Sequence, residues 1–600
     1  MCGINGILAY NTAADRPTRG ELLATRDHMA SRGPDGFGEY WSEDRRLGLG
    51  HRRLSIVDLS DRAAQPMASA NHRYQVVFNG EIYNYPALRR DLENDGVQFA
   101  SNSDTEILLH LYEACGDQMV HRLRGMYAFV IWDETARTLF LARDPYGIKP
   151  LYIADDGWSF RFASQVKALL AGGKVSRDPE PAGLVGFHLW GNVPEPFTLY
   201  RDIRSLPAGH TQFVDESGPR PPKPFVSVAR IFQEASARTI PPEEETSAIR
   251  QALADSISAH LMADVEVGLF LSAGIDSGAI LGLMRDAGQQ SILAITLAFD
   301  EFSGTLDDET SGAAMLAERY GARHLVRRVS QTEFESELPL IIEAMDQPTI
   351  DGINTWFIAK AAREAGLKVA MSGLGGDELM AGYPSFHDIP KWVSLLRLPA
   401  AIPGLGAVFR KAASHLGLAR RNPKFPGILE FGGNWSSAYF LRRALLLPAE
   451  LHNVMDPETI SLGMARLDPI GQVTAVDTAL PCSASSRVAA FESSFYLRNQ
   501  LLRDSDWAGM AHGIEIRTPL VDIELLRKLS PVTARIDGRS GKVALAMAPS
   551  RPLPELLVRN LKTGFSIPSS QWFDAGNSSA VQSRGAASRA WASEVIARWN

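Results

Sequence analysis

Val267-Gly268-Leu269-Phe270-Leu271-Ser272-Ala273-Gly274-Ile275-Asp276-Ser277-Gly278 is the stretch on which the reading of the C-terminal half turns. The run from Val267 to Leu271 is apolar and short, as in a strand covered on both faces. Small and hydroxylated residues follow, and a helical pattern takes over from Gly278 to Arg285. A strand, a tight turn and a helix in this order aim free backbone N–H groups and the positive end of a helix dipole at one point. That point suits an anion such as pyrophosphate. Taken alone, the same turn reads equally well as a plain helix cap. Two more apolar runs, Ile295-Thr296-Leu297-Ala298-Phe299 and Val369-Ala370-Met371, are also separated by helical patterns. Together they predict a parallel sheet with crossover helices, an architecture that binds nucleotides at the carboxyl ends of its strands.

Upstream the texture changes. From Met1 to about Gly209 short strands such as Gln75-Val76-Val77-Phe78 and Ala128-Phe129-Val130-Ile131 alternate with helical stretches such as Ser103 to Cys115, which predicts a layered α/β unit. Pro219, Pro221, Pro222 and Pro224, then Pro241-Pro242-Glu243-Glu244-Glu245, mark an exposed connection between the halves. Downstream of Pro390 the pattern is mostly helical to about Arg535, and the tail after Phe573 is small and polar with little to pack. A chain of 600 residues exceeds what one core supports, so at least two domains are expected. A net charge of −8 gives no long-range pull toward nucleic acid or anionic membrane, and no apolar run is long enough to span a bilayer. Cys2, Cys115 and Cys482 are too few and too scattered for a disulfide framework or a zinc cluster. With no secretory signal pattern at the start, a cytoplasmic location is expected.

Cys2 carries the N-terminal chemistry. Once Met1 is removed, its thiol lies beside a free α-amine, which titrates near about 7.7–8.0 and can act as the base that generates the thiolate. By itself, a Cys at position two is usually just a small apolar residue. Met1-Cys2-Gly3-Ile4 gains meaning from four further blocks: Arg32-Gly33-Pro34-Asp35-Gly36, His51-Arg52-Arg53-Leu54-Ser55-Ile56-Val57-Asp58, Phe78-Asn79-Gly80-Glu81-Ile82-Tyr83-Asn84 and Ser103-Asp104-Thr105-Glu106. In this order the five blocks resemble the class II, N-terminal nucleophile glutamine amidotransferases. Each block has a job that a glutaminase needs. Arg53 offers a guanidinium fork for the α-carboxylate of glutamine, and Glu81 with Asp104 can hold its α-ammonium. The side-chain amide of Asn79 and the backbone N–H of Gly80 can meet the oxyanion that forms when the thiolate attacks. As isolated residues, Asn79-Gly80 would read as a hairpin turn and Arg53 as a solvated charge.

The loop Ser272 to Ser277 resembles the PP-loop of ATP pyrophosphatases, in which Ser-Gly-Gly-x-Asp-Ser is usual, with Ala273 in place of the first glycine. Ser372-Gly373-Leu374-Gly375-Gly376-Asp377-Glu378 resembles the second nucleotide motif of the same proteins. The resemblance implies that Leu271, Ser272, Ala273, Gly274, Asp276, Ser277, Ser372 and Gly373 line an ATP site. It further implies that Asp276 and Asp377 bind Mg²⁺ bridging the phosphates, and that Lys562 stabilises charge during adenylation and amidation. Glu515, Arg517 and Asp522 form another shared block, readable equally as a buried ion-pair network.

Taken together, the blocks run from Met1 to about Trp572 in the order found in glutamine-hydrolysing asparagine synthetases. That resemblance implies an α/β protein with an N-terminal Ntn-hydrolase αββα sandwich and a C-terminal adenine-nucleotide α-hydrolase-like (PP-loop) parallel-sheet domain with extra helices. The domains expected are a glutaminase over 2–212, a linker over 213–245, an ATP-dependent synthetase over 246–575 and a small polar tail over 576–600. Glutamine, ATP and a carboxylic-acid acceptor, aspartate by default, are the ligands implied. Ammonia would pass between the sites, and a homodimer is an assembly the family allows. Three departures bear on the acceptor and the transfer. Leu374 stands where an acidic residue is usual, Gln347 to Thr355 differ from the expected Glu-Pro-x-x-Asp-x-Ser pattern, and Gln165 replaces a Glu associated with the domain interface. The same chemistry on another acid, by a biosynthetic or cell-envelope amidotransferase or an amide-forming cyclase, is one alternative, and a nucleotide-binding protein without catalysis is another. The phosphate loop at Ser272 speaks against glucosamine-6-phosphate synthase and phosphoribosyl-pyrophosphate amidotransferase.

Overall fold

A computed structural model describes residues 2–235, 240–305, 307–418, 423–477, 482–559, 567–568, 572 and 584–599. The N-terminal strands are β1 (Gly3–Leu8), β2 (Gly36–Trp41), β3 (Leu47–Arg53), β4 (Met67–Ala68), β5 (Tyr74–Ile82), β6 (Gly125–Asp133), β7 (Thr138–Arg143), β8 (Tyr152–Asp155), β9 (Phe160–Ala163), β10 (Ile203–Ser205), β11 (His210–Asp215), β12 (Gly218–Pro219) and β13 (Lys223–Pro224). They form two antiparallel sheets, one ordered β10-β8-β9-β1-β3-β2 and the other β12-β11-β7-β6-β5-β4, with β13 paired to β11.

Side-chain alternation explains the layering. In β6, Ala128, Val130 and Trp132 point into the core between the sheets, where Ile4, Leu49, Val77 and Phe162 meet them. Tyr127, Phe129 and Ile131 point the other way, into a second core with Ile107, Leu108 and Leu111 of the helix Asp104–Cys115. Residues Tyr127 to Trp132 of β6 therefore each have a buried face to fill, which is why this part of the strand reads as an unbroken apolar run. Helices Arg19–His28 and Val166–Ala171 cover the outer face of the first sheet, and the four layers make the expected αββα sandwich.

The second sheet system contains β14 (Val267–Phe270), β15 (Leu293–Phe299), β16 (Arg323–Val329), β17 (Val369–Met371) and β18 (Glu515–Arg517), all parallel, in the order β16-β15-β14-β17-β18. β15 and β16 lie on one side of β14, and β17 and β18 on the other. The direction of winding reverses between β14 and β17, so the turns after these two strands are neighbours at the carboxyl edge, where such sheets bind ligands. Apolar clusters cover both faces of this sheet, and a helical layer from Ser385 to Ala511 packs beyond it.

Two segments depart from the expected outline. Pro221 to Pro224 are exposed, as their composition predicts, but the helix Val228–Glu234 that follows buries Phe232 in the core of the nucleotide half. The chain end is not a tail with little to pack. Residues Arg584–Ala597 form a helix whose Ala587, Trp591, Ala592 and Val595 are buried, with Trp591, Ala592 and Val595 in one core with Phe334 and Trp572. Spacings of four, five and eight residues make a helical stripe, hidden in the sequence by the Ala, Ser and Arg around it.

Candidate active site

Cys2 immediately precedes β1, and Gly3 of that strand pairs with Arg52 of β3, which brings Arg53 alongside. Asn79, Gly80 and Glu81 lie in β5, and Asp104 opens the helix capped by Ser103. A cavity of about 340 Å³ is lined by Cys2, Arg53, Gly80, Glu81 and Asp104, so residues up to 102 positions apart converge as the sequence predicts. Asn79 lies behind them. Its Oδ1 accepts from the Cys2 nitrogen at 2.9 Å, while its buried Nδ2 has no hydrogen-bond partner among the described residues. An amide donor left unpaired in a closed site is costly unless something fills it, and an oxyanion would.

The other residues are held by backbone. Arg53 donates Nη1 to the Ser60 carbonyl at 2.9 Å and Nη2 to the Asp58 carbonyl, which fixes the fork. Asp104 Oδ2 accepts from the Ile82 amide at 2.9 Å. Gly80 has no room for a side chain, because a Cβ there would lie 2.1 Å from the Met126 carbonyl of the neighbouring strand. Burial pushes the Cys2 thiol up, with the Leu54 amide and Arg53 pulling the other way. A base is therefore needed to form the thiolate. Burial also raises Asp104, to about 6, and Glu81 well above the usual carboxylate range, helped by the neighbouring Glu515.

Across the interface, Arg32 is buried and reaches both halves. Its Nε donates to the Cys2 carbonyl at 3.2 Å, and its two terminal nitrogens pair with Asp506 at 2.7 and 3.1 Å. A second cavity of about 370 Å³ lies here, lined by Arg32, Arg143, Gln165, Glu195, Arg498 and Asp506 among others. Gln165 thus faces the space between the halves. The amides that follow it, Val166 and Lys167, are each accepted by Asp346 at 2.9 Å.

On the synthetase side the two turns touch. Ser277 Oγ accepts from the Ser272 amide at 3.1 Å and lies 2.9 Å from Ser272 Oγ, which in turn accepts from the Gly274 amide. Leu271 is tied to the sheet by its amide, which donates to the Ile295 carbonyl at 2.8 Å. The Ala273 methyl is accommodated because Gly312 opposite has no side chain; a Cβ on Gly312 would come within 2.6 Å of it. Gly373 and Gly376 let the second turn close against Asp276. A Cβ on Gly373 would lie 3.0 Å from the Asp276 Cβ, and one on Gly376 would lie 2.6 Å from its Oδ1. Asp276 and Asp377 converge on a single ammonium, Lys542 Nζ, at 2.5 and 2.6 Å. Nothing in the sequence singles out Lys542: it is one basic residue on an ordinary helix, Gly538–Ala546, and only packing places it between the carboxylates. Lys562 lies outside the described residues.

In the stretch from Gln347 to Thr355 the polar groups are differently deployed. Gln347 is consumed by backbone, accepting from the Leu199 amide at 3.0 Å and donating to the Asp346 carbonyl at 2.8 Å. It fastens the interface rather than facing the nucleotide turns. Asp504 is pushed up to about 8 by burial and by Asp351 beside it, while Trp507 and Thr349 donate to its two oxygens at 2.9 and 3.0 Å.

Comparison with known proteins covers both halves. Residues 1–225 match the family model described as a glutamine amidotransferase domain, and residues 248–597 match the model described as asparagine synthase. A putative glutamine-hydrolysing asparagine synthetase of Mycobacterium bovis is 32% identical, covering 96% of this chain and 89% of its own. Asparagine synthetase (glutamine-hydrolysing) 1 of Bacillus subtilis is 29% identical over 95% of this chain and 88% of its own. A Gibberella zeae protein named amidase chry2 is 31% identical over 64% of this chain and 60% of its own. With the asparagine synthase model matching more than half of its length and the mycobacterial relative aligned along nearly all of it, this chain belongs to the glutamine-hydrolysing asparagine synthetase family.

Proposed function

We propose that this chain hydrolyses glutamine at Cys2 and uses the ammonia to amidate a carboxylic acid that it has activated with ATP, aspartate being the acceptor. The observation that carries the reading is the first cavity: a buried thiol, an arginine fork and two carboxylates set around one space. Arg53 takes the α-carboxylate, Glu81 and Asp104 take the α-ammonium, and Asn79 Nδ2 with the Gly80 N–H takes the oxyanion. With Met1 removed, the Cys2 amine serves as the base that the buried thiol requires. Ammonia then crosses the interface space beside Arg32 and Gln165, shielded from bulk water that would protonate it. A carboxylate is a poor electrophile, so the acceptor attacks ATP first, releasing pyrophosphate, and ammonia displaces AMP from the acyl-adenylate.

Leu271, Ser272, Ala273, Gly274, Ser277, Ser372 and Gly373 form the cradle for ATP in this reading, with Lys562 stabilising charge on the transferring groups. Mg²⁺ fits the residues present. Asp276 and Asp377 already share one cation, and glycines 376 and 382 leave space around their oxygens. Mg²⁺ prefers two carboxylates supplemented by phosphate oxygens, and Lys542 would then turn to the phosphates. The ion would neutralise phosphate charge. Division into a glutaminase at 2–212 and a synthetase at 246–575, a homodimeric assembly and a cytoplasmic location belong to the same reading. No single described helix is long and apolar enough to cross a membrane.

Leu374 favours a second reading, with the same chemistry on a different acid. Leucine can neither pair with an ammonium nor accept its proton. Glutamine-dependent release of AMP and pyrophosphate, measured against a panel of carboxylic acids, separates the two. Asparagine formed from aspartate is the expected result, and AMP release with another acid but none with aspartate would replace the acceptor.

A further inference from the structure

Arg517 belongs to β18 in the C-terminal half, yet its side chain reaches Glu81, which lines the first cavity. It is fully buried. Most of its fork is committed within its own half: Nε pairs with Glu515 at 2.6 Å, and Nη1 donates to the His260 and Met262 carbonyls, each at 2.7 Å. Nη2 has no hydrogen-bond partner among the described residues and is turned toward Glu81, 3.6 Å from its Oε1. The guanidinium also lies 5.9 Å from the ring of Tyr83, which sits tilted against His260 with 4.0 Å between centroids.

The backbone of the same residue faces the other site. Arg517 is paired with Met371 across the parallel β17–β18 ladder, and its carbonyl accepts from the Ser372 amide at 2.8 Å. Ser372 opens the second nucleotide turn. One residue therefore touches both the carboxylate assigned to the α-ammonium of glutamine and the turn assigned to the phosphates.

Charge gives this contact a direction. Glu81, Asp104 and Glu515 are buried together, and Arg517 is the guanidinium they share. Burial, Glu515 and Asp104 all push Glu81 upward, so the empty cavity is short of positive charge. An arriving α-ammonium takes Glu81 as its partner and sets a second positive charge near Arg517 Nη2. Arg517 then relaxes onto Glu515 and the carbonyls of its own half, and that adjustment runs along β18 to Ser372.

We infer that Arg517 is a positioning residue that couples glutamine occupancy of the first site to the nucleotide turn of the second, an inference that rests on the reading of Glu81 as the ammonium anchor. Binding linkage is reciprocal, so ATP and glutamine must change each other's affinity by the same factor.

Calorimetric titration of glutamine into full-length Cys2→Ala protein, with and without ATP, tests this, because that variant binds without turnover. Glutamine affinity is expected to differ about fivefold or more between the two conditions. Arg517→Lys in the same background keeps the charge and loses the fork, and the ratio is expected to fall to about one. Should that variant fail to fold, Glu515→Gln releases the Nε anchor while keeping Arg517, and the ratio is expected to shrink. Equal affinities with and without ATP in the parent, or an unchanged ratio in whichever variants fold, would overturn the coupling. Glu81→Gln separates the two layers. Unchanged glutamine affinity there would remove the glutamine reading itself, whereas weakened binding with the Arg517→Lys ratio intact would remove only the inference.

Discussion

Asn79 shows how much one side chain is asked to do. Its Oδ1 is spent on the Cys2 nitrogen, and its buried Nδ2 has no hydrogen-bond partner among the described residues. Removing one oxyanion donor typically costs about a hundred- to a thousandfold in kcat. Asn79→Ala is expected to lower the glutaminase kcat by that order, with a smaller change in KM, in an assay of glutamate release. Asp104 sets a pH dependence. Burial raises it to about 6, and only its ionised form can hold an ammonium. The KM for glutamine is therefore expected to climb as pH falls through about 6, and a KM flat across that range would take Asp104 out of glutamine binding. The sign for folding is the reverse. The folded chain holds this proton more tightly than the unfolded one, whose Asp titrates near about 3.9. Stability from this group is thus fully present below that value and is lost as pH rises through about 6.

The strands and helices differ in how openly they declare themselves. β6 must fill two cores, so it is apolar from Met126 to Trp132 and unmistakable. The helix Arg584–Ala597 shows the opposite case, since its apolar residues are few and spaced by small or charged ones. Trp591 nevertheless packs into the core that holds Phe334 and Trp572. Truncating a buried Trp costs about 3–5 kcal/mol. Trp591→Ala is expected to lower the denaturant midpoint of the intact chain by a corresponding amount, whereas a midpoint unchanged from the parent would mean that the helix does not carry the packing assigned to it.

At the level of the whole molecule, the two halves meet through Arg32. Its pair with Asp506 is buried on both sides, and breaking such a pair leaves an uncompensated charge at a cost of about 3–5 kcal/mol. Arg32→Met is expected to lower stability in equilibrium unfolding and, because the same guanidinium holds the Cys2 carbonyl, to raise the glutamate formed per AMP as ammonia escapes. A ratio equal to the parent's would show that the interface seals without it. Read alone, the sequence already carried both halves of the chemistry. A thiol beside the chain start, the Asn79-Gly80-Glu81 run and the Ser272 turn are local patterns, because backbone geometry at a strand end or a helix start is set by near neighbours. The alternating strands and the parallel sheet were legible for the same reason. Tertiary structure alone decided the rest: that Lys542 sits between Asp276 and Asp377, that Gln347 is spent on Leu199, and that Arg517 reaches from one half to Glu81 of the other. Those facts depend on which side chains meet across hundreds of residues, and no local propensity encodes a partner chosen by packing and buried charge.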